Sequence, residues 1–192
     1  YGFGVRLMPI ANVRAALSAG PKLHPFTAAQ LADSPLSLFL MDETSGSVMA
    51  DSGSVANDGT YGTTYAPTLG TRSVFGLTSP DFAGSGNVAK YYDSAALSTT
   101  QAGATGVITW ELICRADSFT ALGYLLDQRV ANTQIIMYVD TGGEIGVNIM
   151  GASGVVASFY DATSDMSVDT DSHVVVTYDR DAQELEVWVN GV

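Results

Sequence analysis

From Ser34 onward, short apolar runs alternate with turn-forming residues, and this pattern restricts the chain to an all-β fold. The turns are rich in Gly, Asp, Ser and Thr and recur at fairly regular spacing, which is typical of sandwiches and barrels. Residues 140–143 and 151–154 are predicted hairpin turns. We predict strands at residues 36–40, 59–65, 87–92, 107–116, 123–129, 134–139, 144–150, 155–160, 173–178 and 184–189.

The predicted strand 107–116 shows the alternation that a sheet with one buried face requires. Trp110 and Cys114 fall on one face of it, and Glu111 falls on the other. We therefore expect Trp110 and Cys114 to be buried, with Glu111 on the opposite side. Cys114 is the only cysteine, so no internal disulfide can form, and we expect an inert thiol.

The first 35 residues have a different character and are predicted to form a mostly helical or irregular arm. The segment Thr27–Gln30 matches a capping box, which predicts a short helix to about Asp33 that Pro35 ends. Residues 12–17 are a second helical candidate. Such short helices need a surface to pack on. The start of the chain lacks a basic segment followed by a long apolar run, so no signal peptide is predicted.

The charge of the chain excludes some partners. The net charge is −12, with only 8 Lys and Arg residues. A nucleic-acid partner requires a basic patch, and none is visible, so we expect no nucleic-acid binding. The negative net charge also disfavours binding to an anionic membrane surface. The sequence contains no run of about 18 apolar residues, so we expect no membrane insertion.

Catalytic patterns are weak, so we predict that the chain is not an enzyme. Residues 84–89 loosely fit a dinucleotide fingerprint, but a strand rather than a helix follows them. His24 and His173 lie in different regions, and no nucleophile elbow is present. The alternative is a polysaccharide-degrading sandwich that uses Glu184 and Glu186, which alternate on one strand.

Two kinds of binding site are predicted. Calcium is the candidate metal, although no cofactor is required, and Asp51, Asn57 and Asp58 are its candidate ligands, because hard cations prefer loop oxygens. The alternative is that these residues only shape a turn. Residues 169–171 form a second acidic loop.

Carbohydrate binding would use Tyr61, Tyr91 or Tyr92, because sugar faces stack on exposed aromatic rings. The alternative is that these tyrosines lie in the core or at a sheet edge.

Six segments carry a family resemblance: 37–46, 50–53 and 57–61 at the opening of the β region, 107–114 in the middle, and 173–179 with 185–191 near the end. Taken in this order, they resemble laminin-G-like or concanavalin A-like jelly-roll domains. The resemblance implies a two-layer antiparallel jelly-roll sandwich over residues 36–192. That family normally continues with further strands after the last matching segment, so the domain is expected to lack its last strands.

A narrower resemblance covers residues 32–46. They look like the segment that leads into such a domain in minor tail proteins and other virion proteins of actinobacteriophages. It implies a non-catalytic bacteriophage virion protein domain, in the tail or on the particle surface, for host-surface glycan recognition or adhesion. A purely structural or decoration virion protein is the alternative. The protein would be made in the host cytoplasm, and its partners would be other virion subunits, as a homo-oligomer, and a host cell-surface glycan.

Overall fold

A computed structural model describes residues 25–35, 37–54, 56, 58–62, 66–82, 89–90, 106–130, 133–151, 154–160 and 166–191. The chain divides into two compact units, one formed by Val5–Ser98 and the other containing Thr99–Val192. The predicted boundary after residue 35 stays a prediction. The second helical candidate, residues 12–17, lies outside the described residues.

The first unit contains the one helix of the described residues, α1 (Pro25–Ala32). It begins two residues before the predicted cap, because Pro25 supplies a preset φ at the first helical position. Thr27 therefore lies inside the helix, where its side chain is buried. The helix ends as predicted before Pro35, since Ser34 adopts a left-handed φ of 54°. This helix has eight residues and is too short to cross a membrane, and the described residues contain no other helix.

The strands of the first unit form two small antiparallel groups. A three-stranded sheet has the order β1-β2-β5, and β3 pairs with β4 as a hairpin. The predicted strand at 36–40 is reduced to a single antiparallel bridge between Phe39 and Asp51. The bounds are β1 (Val48–Met49), β2 (Gly59–Tyr61), β3 (Thr68–Val74), β4 (Leu77–Asp81) and β5 (Ala89–Lys90).

The β3–β4 hairpin was not predicted, because its strands lack the usual hydrophobic alternation and its turn lacks the usual turn-forming residue pair. Most side chains of β3 are exposed, so it shows no hydrophobic alternation, and β4 contains Pro80. The turn is made by Phe75 and Gly76, which both have positive φ, at 48° and 78°. That backbone suits a two-residue hairpin, but Phe is an unusual residue at such a position.

The second unit consists of two antiparallel sheets. A four-stranded sheet has the order β10-β9-β8-β7, and a three-stranded sheet has the order β12-β11-β6. The all-β, antiparallel prediction is therefore confirmed. The bounds are β6 (Val107–Arg115), β7 (Gly123–Val130), β8 (Thr133–Val139), β9 (Ile145–Gly151), β10 (Gly154–Tyr160), β11 (Asp171–Asp179) and β12 (Glu184–Val189).

Both sheets of the second unit contribute to one hydrophobic core. Alternate residues of β8 and β9 enter it from the four-stranded sheet, and alternate residues of β11 enter it from the three-stranded sheet. Burial of such side chains, at about 1.5–3 kcal/mol each, stabilises the unit. The buried members are Ile135, Met137, Val139, Ile145, Val147, Ile149, Met166, Val174, Val176, Tyr178 and Val189.

The predicted faces of β6 are confirmed, but the predicted depth of burial is not. Trp110 and Cys114 pack against the core as expected, but each is half-buried rather than buried. Burial is still sufficient to raise the pKa of the Cys114 thiol to about 11, which keeps it protonated and unreactive at neutral pH. Glu111 lies on the opposite face, where its carboxylate is 2.7 Å from Nε2 of His173.

Candidate functional site

Three tyrosines lie side by side across the four-stranded sheet. Tyr124 of β7 is paired with Tyr138 of β8, Tyr138 is paired with Gly146 of β9, and Gly146 is paired with Tyr160 of β10. Directly paired residues point to the same face of a sheet. We call Tyr124, Tyr138 and Tyr160 the tyrosine row.

The tyrosine row lies on the face opposite the core. Its neighbours along the strands, Val139, Val147 and Phe159 among them, point inward or pack against the core, so alternation turns the row outward. Tyr124 is 56% exposed and Tyr160 is 54% exposed. The sheet therefore presents large aromatic side chains on its outer face, where polar residues are usual.

Gly146 makes room for the central ring of the row. A Cβ atom added at this position would overlap Cζ and the hydroxyl oxygen of Tyr138. The Tyr138 ring thus occupies the space in which a side chain of residue 146 would stand. As a result, the ring reaches across β9 toward Tyr160 and covers the gap between the two exposed tyrosines.

One end of the tyrosine row is held by a carboxylate. The hydroxyl of Tyr160 donates a hydrogen bond of 2.6 Å to Oδ2 of Asp140, in the β8–β9 turn. Oδ1 of Asp140 accepts the backbone N–H of Gly142 at 2.8 Å. Two side-chain hydrogen bonds lower the pKa of Asp140 from 3.8 to about 2. The one with Glu144 has the larger effect, and the one from Tyr160 has the next largest.

The lowered pKa keeps Asp140 ionised at every physiological pH. Because the folded-state pKa lies below the ordinary value, the stability that this carboxylate contributes is present above pH 3.8. It is lost as the pH falls through about 2. The same hydrogen bond raises the pKa of the Tyr160 phenol to about 12, since the phenolate would face a carboxylate. Tyr160 is thus fixed as a hydrogen-bond donor to Asp140.

Replacing Asp140 with asparagine should return the pKa of Tyr160 from about 12 toward its ordinary value of 10. The substitution removes the charge that disfavours the phenolate. An NMR titration of the tyrosine Cζ resonances measures the shift. Asp127→Asn is the control, and it should leave the Tyr160 titration unchanged. An unaltered Tyr160 pKa in Asp140→Asn would contradict the hydrogen bond.

A second row of side chains lies beside the tyrosines on the same face. Ser158, Asn148, Ile136 and Asp127 are paired across the four strands in the same way. Ser158 and Asp127 are exposed, and Asn148 is half-buried. These groups supply a hydroxyl, an amide and a carboxylate next to the aromatic row.

This combination is suited to binding sugars. The faces of sugar rings are apolar enough to stack on aromatic rings, while their hydroxyls require polar partners. The tyrosine row supplies the stacking surface, and Asn148 and Asp140 supply donors and acceptors beside it. We identify the outer face of β7–β10 as the candidate ligand-binding site.

Of the predicted sugar-binding tyrosines, the structure describes Tyr61, which is buried. Tyr61, on β2, is only 3% exposed, and its hydroxyl donates a 2.6 Å hydrogen bond to Oε2 of Glu43. Burial raises the pKa of Tyr61 above its ordinary range, and the hydrogen bond to Glu43 makes a smaller contribution in the same direction. Its ring therefore has no exposed face on which a sugar could stack. Tyr91 and Tyr92 lie outside the described residues.

The predicted calcium ligands that the structure describes organise a loop. Oδ1 of Asp51 accepts the backbone N–H groups of Leu38 and Gly53, each at 2.8 Å. Oδ1 of Asp58 accepts the N–H of Asp51 at 2.9 Å. Asn57 lies outside the described residues, and within those described no group of three or more His, Cys, Asp or Glu side chains is placed to hold a metal ion. The calcium site stays a prediction.

Replacing Asp51 with alanine should lower the free energy of unfolding by about 2–3 kcal/mol, because two N–H groups lose a charged acceptor. The carboxylate is 8% exposed, so water replaces it poorly. Urea unfolding in EDTA and again in calcium measures the loss. Asp51→Asn, which keeps one acceptor oxygen, is the control and should lose less. A loss seen only with calcium would instead assign Asp51 to metal binding.

Glu184 and Glu186, the predicted catalytic alternative, lie on a different sheet from the tyrosine row. Both belong to β12 and are exposed. They are paired with Asp179 and Thr177 of β11, on the face that also carries His173. His173 interacts there with Glu111, its Nε2 lying 2.7 Å from the Glu111 carboxylate.

The tyrosine row was missed because one of its members depends on a bulge. In β7 the register shifts between Tyr124 and Leu126. Counting by strict alternation back from Asp127 would place Tyr124 on the core face. Tyr138 and Tyr160 stand in predicted strands, but these strands show no regular apolar–polar alternation that would mark the two tyrosines as outward. Comparisons with family models, curated proteins and solved structures found no match to this chain.

Proposed function

We propose that this chain is a non-catalytic recognition module that binds a glycan of a host cell surface through the tyrosine row. The observation that carries the proposal is the alignment of Tyr124, Tyr138 and Tyr160 in one register row, with two of the rings more than half exposed. Contiguous exposed apolar patches usually mark interaction or ligand-binding sites, whereas single exposed apolar residues are common on any protein surface.

The proposed fold is the two-layer jelly-roll sandwich that the laminin-G-like resemblance implies. Its support is that two antiparallel sheets of the second unit share one hydrophobic core. In such a fold the outer face of either layer is available for a ligand. The tyrosine row would then be an outer-face site of the four-stranded layer.

The proposed setting is a bacteriophage virion, in the tail or on the particle surface, with other virion subunits as partners in a homo-oligomer. This part rests on the resemblance of residues 32–46 to minor tail proteins. Display on a multimeric particle suits a binding module, because several weak sites engage one surface together. No cofactor is required by the tyrosine row.

The non-catalytic part of the proposal is supported by the position of the predicted catalytic pair. Sugar hydrolysis needs two carboxyl groups beside the bound sugar. Glu184 and Glu186 lie on the three-stranded sheet, whereas the tyrosine row lies on the four-stranded sheet. New reducing ends after incubation with host-wall polysaccharide would contradict the proposal and favour the polysaccharide-degrading alternative.

A glycan array tests the proposal most directly. We expect the wild-type chain to bind a subset of surface polysaccharides, and the triple variant Tyr124→Ala, Tyr138→Ala, Tyr160→Ala to lose that binding. Phe82→Ala, which removes an aromatic ring that is similarly exposed but lies outside the row, is the matched control and should bind normally. Equal binding by the triple variant would remove the tyrosine row from the function, and no binding by the wild type would favour a purely structural or decoration role.

A further inference from the structure

We infer that the ligand of the tyrosine row is a run of several linked, uncharged sugars that lies across the strands from Tyr124 to Tyr160. This inference rests on the proposed function and adds to it the length and the charge class of the ligand. It follows from the dimensions of the row, from its electrostatics and from the polar groups at its end.

The length of the row exceeds one sugar ring. Tyr124 and Tyr160 stand on strands three spacings apart, which is about 14 Å at the usual separation of strands. The Tyr138 ring lies over Gly146 and so fills the space between them. A single sugar can stack on one ring only, whereas a chain of sugars that crosses the strands contacts all three.

The charge of the face opposes an acidic ligand. Among the side chains described at this face, those of Asp127, Asp140 and Glu144 carry carboxyl groups. Asp140 remains ionised because its pKa is about 2. The chain as a whole carries a net charge of −12. A polymer of uronic acids or phosphates would meet like charge at the end of the row, and this repulsion lowers both its association rate and its affinity.

The polar groups match uncharged hydroxyls. The hydroxyl oxygen of Tyr160, which donates its hydrogen to Oδ2 of Asp140, can itself accept a hydrogen bond from a sugar hydroxyl. Asn148 offers both a donor and an acceptor one row away. Hydroxyl groups, which both donate and accept, satisfy this set without a compensating cation.

Isothermal titration with oligosaccharide series tests length and charge together. The probes are glucose, mannose and N-acetylglucosamine oligomers, from the monosaccharide to the hexasaccharide, and galacturonate oligomers of the same lengths. We expect at least one uncharged series to gain about 10-fold or more in affinity from the mono- to the trisaccharide and then to level off. We expect the galacturonate series to bind more weakly, and the affinity of the uncharged series to change less than about 2-fold with added salt.

Variants connect the length dependence to the row. Tyr160→Ala and Tyr124→Ala should each lower the number of linked sugars at which the affinity stops rising. Each should also weaken the binding of the longer oligomers by about 10-fold, with little effect on the binding of the monosaccharide. Tyr160→Phe keeps the ring and should retain most of the length dependence. Affinity that is independent of length, or preferential binding of galacturonate through the same tyrosines, would overturn this inference and leave glycan recognition standing. Binding of no series, together with an array signal that the triple variant retains, would overturn both.

Discussion

Replacing Met137 with alanine should destabilise the protein by about 2–5 kcal/mol, the usual cost of truncating a fully buried methionine. Met137 is 0% exposed and lies in the middle of β8, within the core that both sheets of the second unit share. Its removal leaves a cavity lined by side chains of both sheets, which relax only partly because each is held by its own hydrogen-bonded ladder. Chemical denaturation followed by circular dichroism measures the change.

Ile136→Ala is the matched control for this experiment. Ile136 is the preceding residue of the same strand, but it points to the opposite face and is half-buried. We expect it to cost less than half as much as Met137→Ala. Equal losses at the two positions would mean that the two faces of β8 are equally buried, which would contradict the arrangement of core and ligand face described above.

Replacing Gly146 with alanine should weaken glycan binding by about 30-fold, equivalent to about 2 kcal/mol, while changing stability little. The added methyl group would overlap the end of the Tyr138 ring. That ring is the end of a flexible side chain on the outer face, so it can swing away without disturbing the sheet. The fold is then retained, but the aromatic surface between Tyr124 and Tyr160 is interrupted.

A double-mutant cycle separates displacement of the ring from other effects. Tyr138→Ala alone should weaken binding to a similar degree, and Gly146→Ala added to it should cause no further loss, because no ring remains to be displaced. Binding is measured by titration with the longest bound oligosaccharide, and stability by thermal unfolding. Additive losses would show that Gly146 acts on the ligand independently of Tyr138.

Local sequence patterns were sufficient to predict the fold class and most strands of the second unit. The strand predicted at 184–189 has the same bounds in the structure, and those predicted at 134–139 and 155–160 differ by one residue. The segment 184–189 alternates between polar and apolar residues over most of its length, whereas 134–139 and 155–160 are mostly apolar runs next to turn residues. Neither signal was present in β3, whose side chains are mostly exposed, or in β4, which contains Pro80, and those strands were missed.

The candidate site was decided by tertiary structure. Tyr124, Tyr138 and Tyr160 are far apart in sequence, and only the register of three strand pairs brings them into one row. The bulge in β7 is needed to turn Tyr124 outward, and its position cannot be counted from alternation. Tyr61, in contrast, stands in a Gly- and Asp-rich segment typical of exposed loops, yet its hydroxyl finds Glu43 and its ring is buried. Local pattern reports whether a residue alternates with its neighbours, whereas pairing between strands determines which residues share a surface.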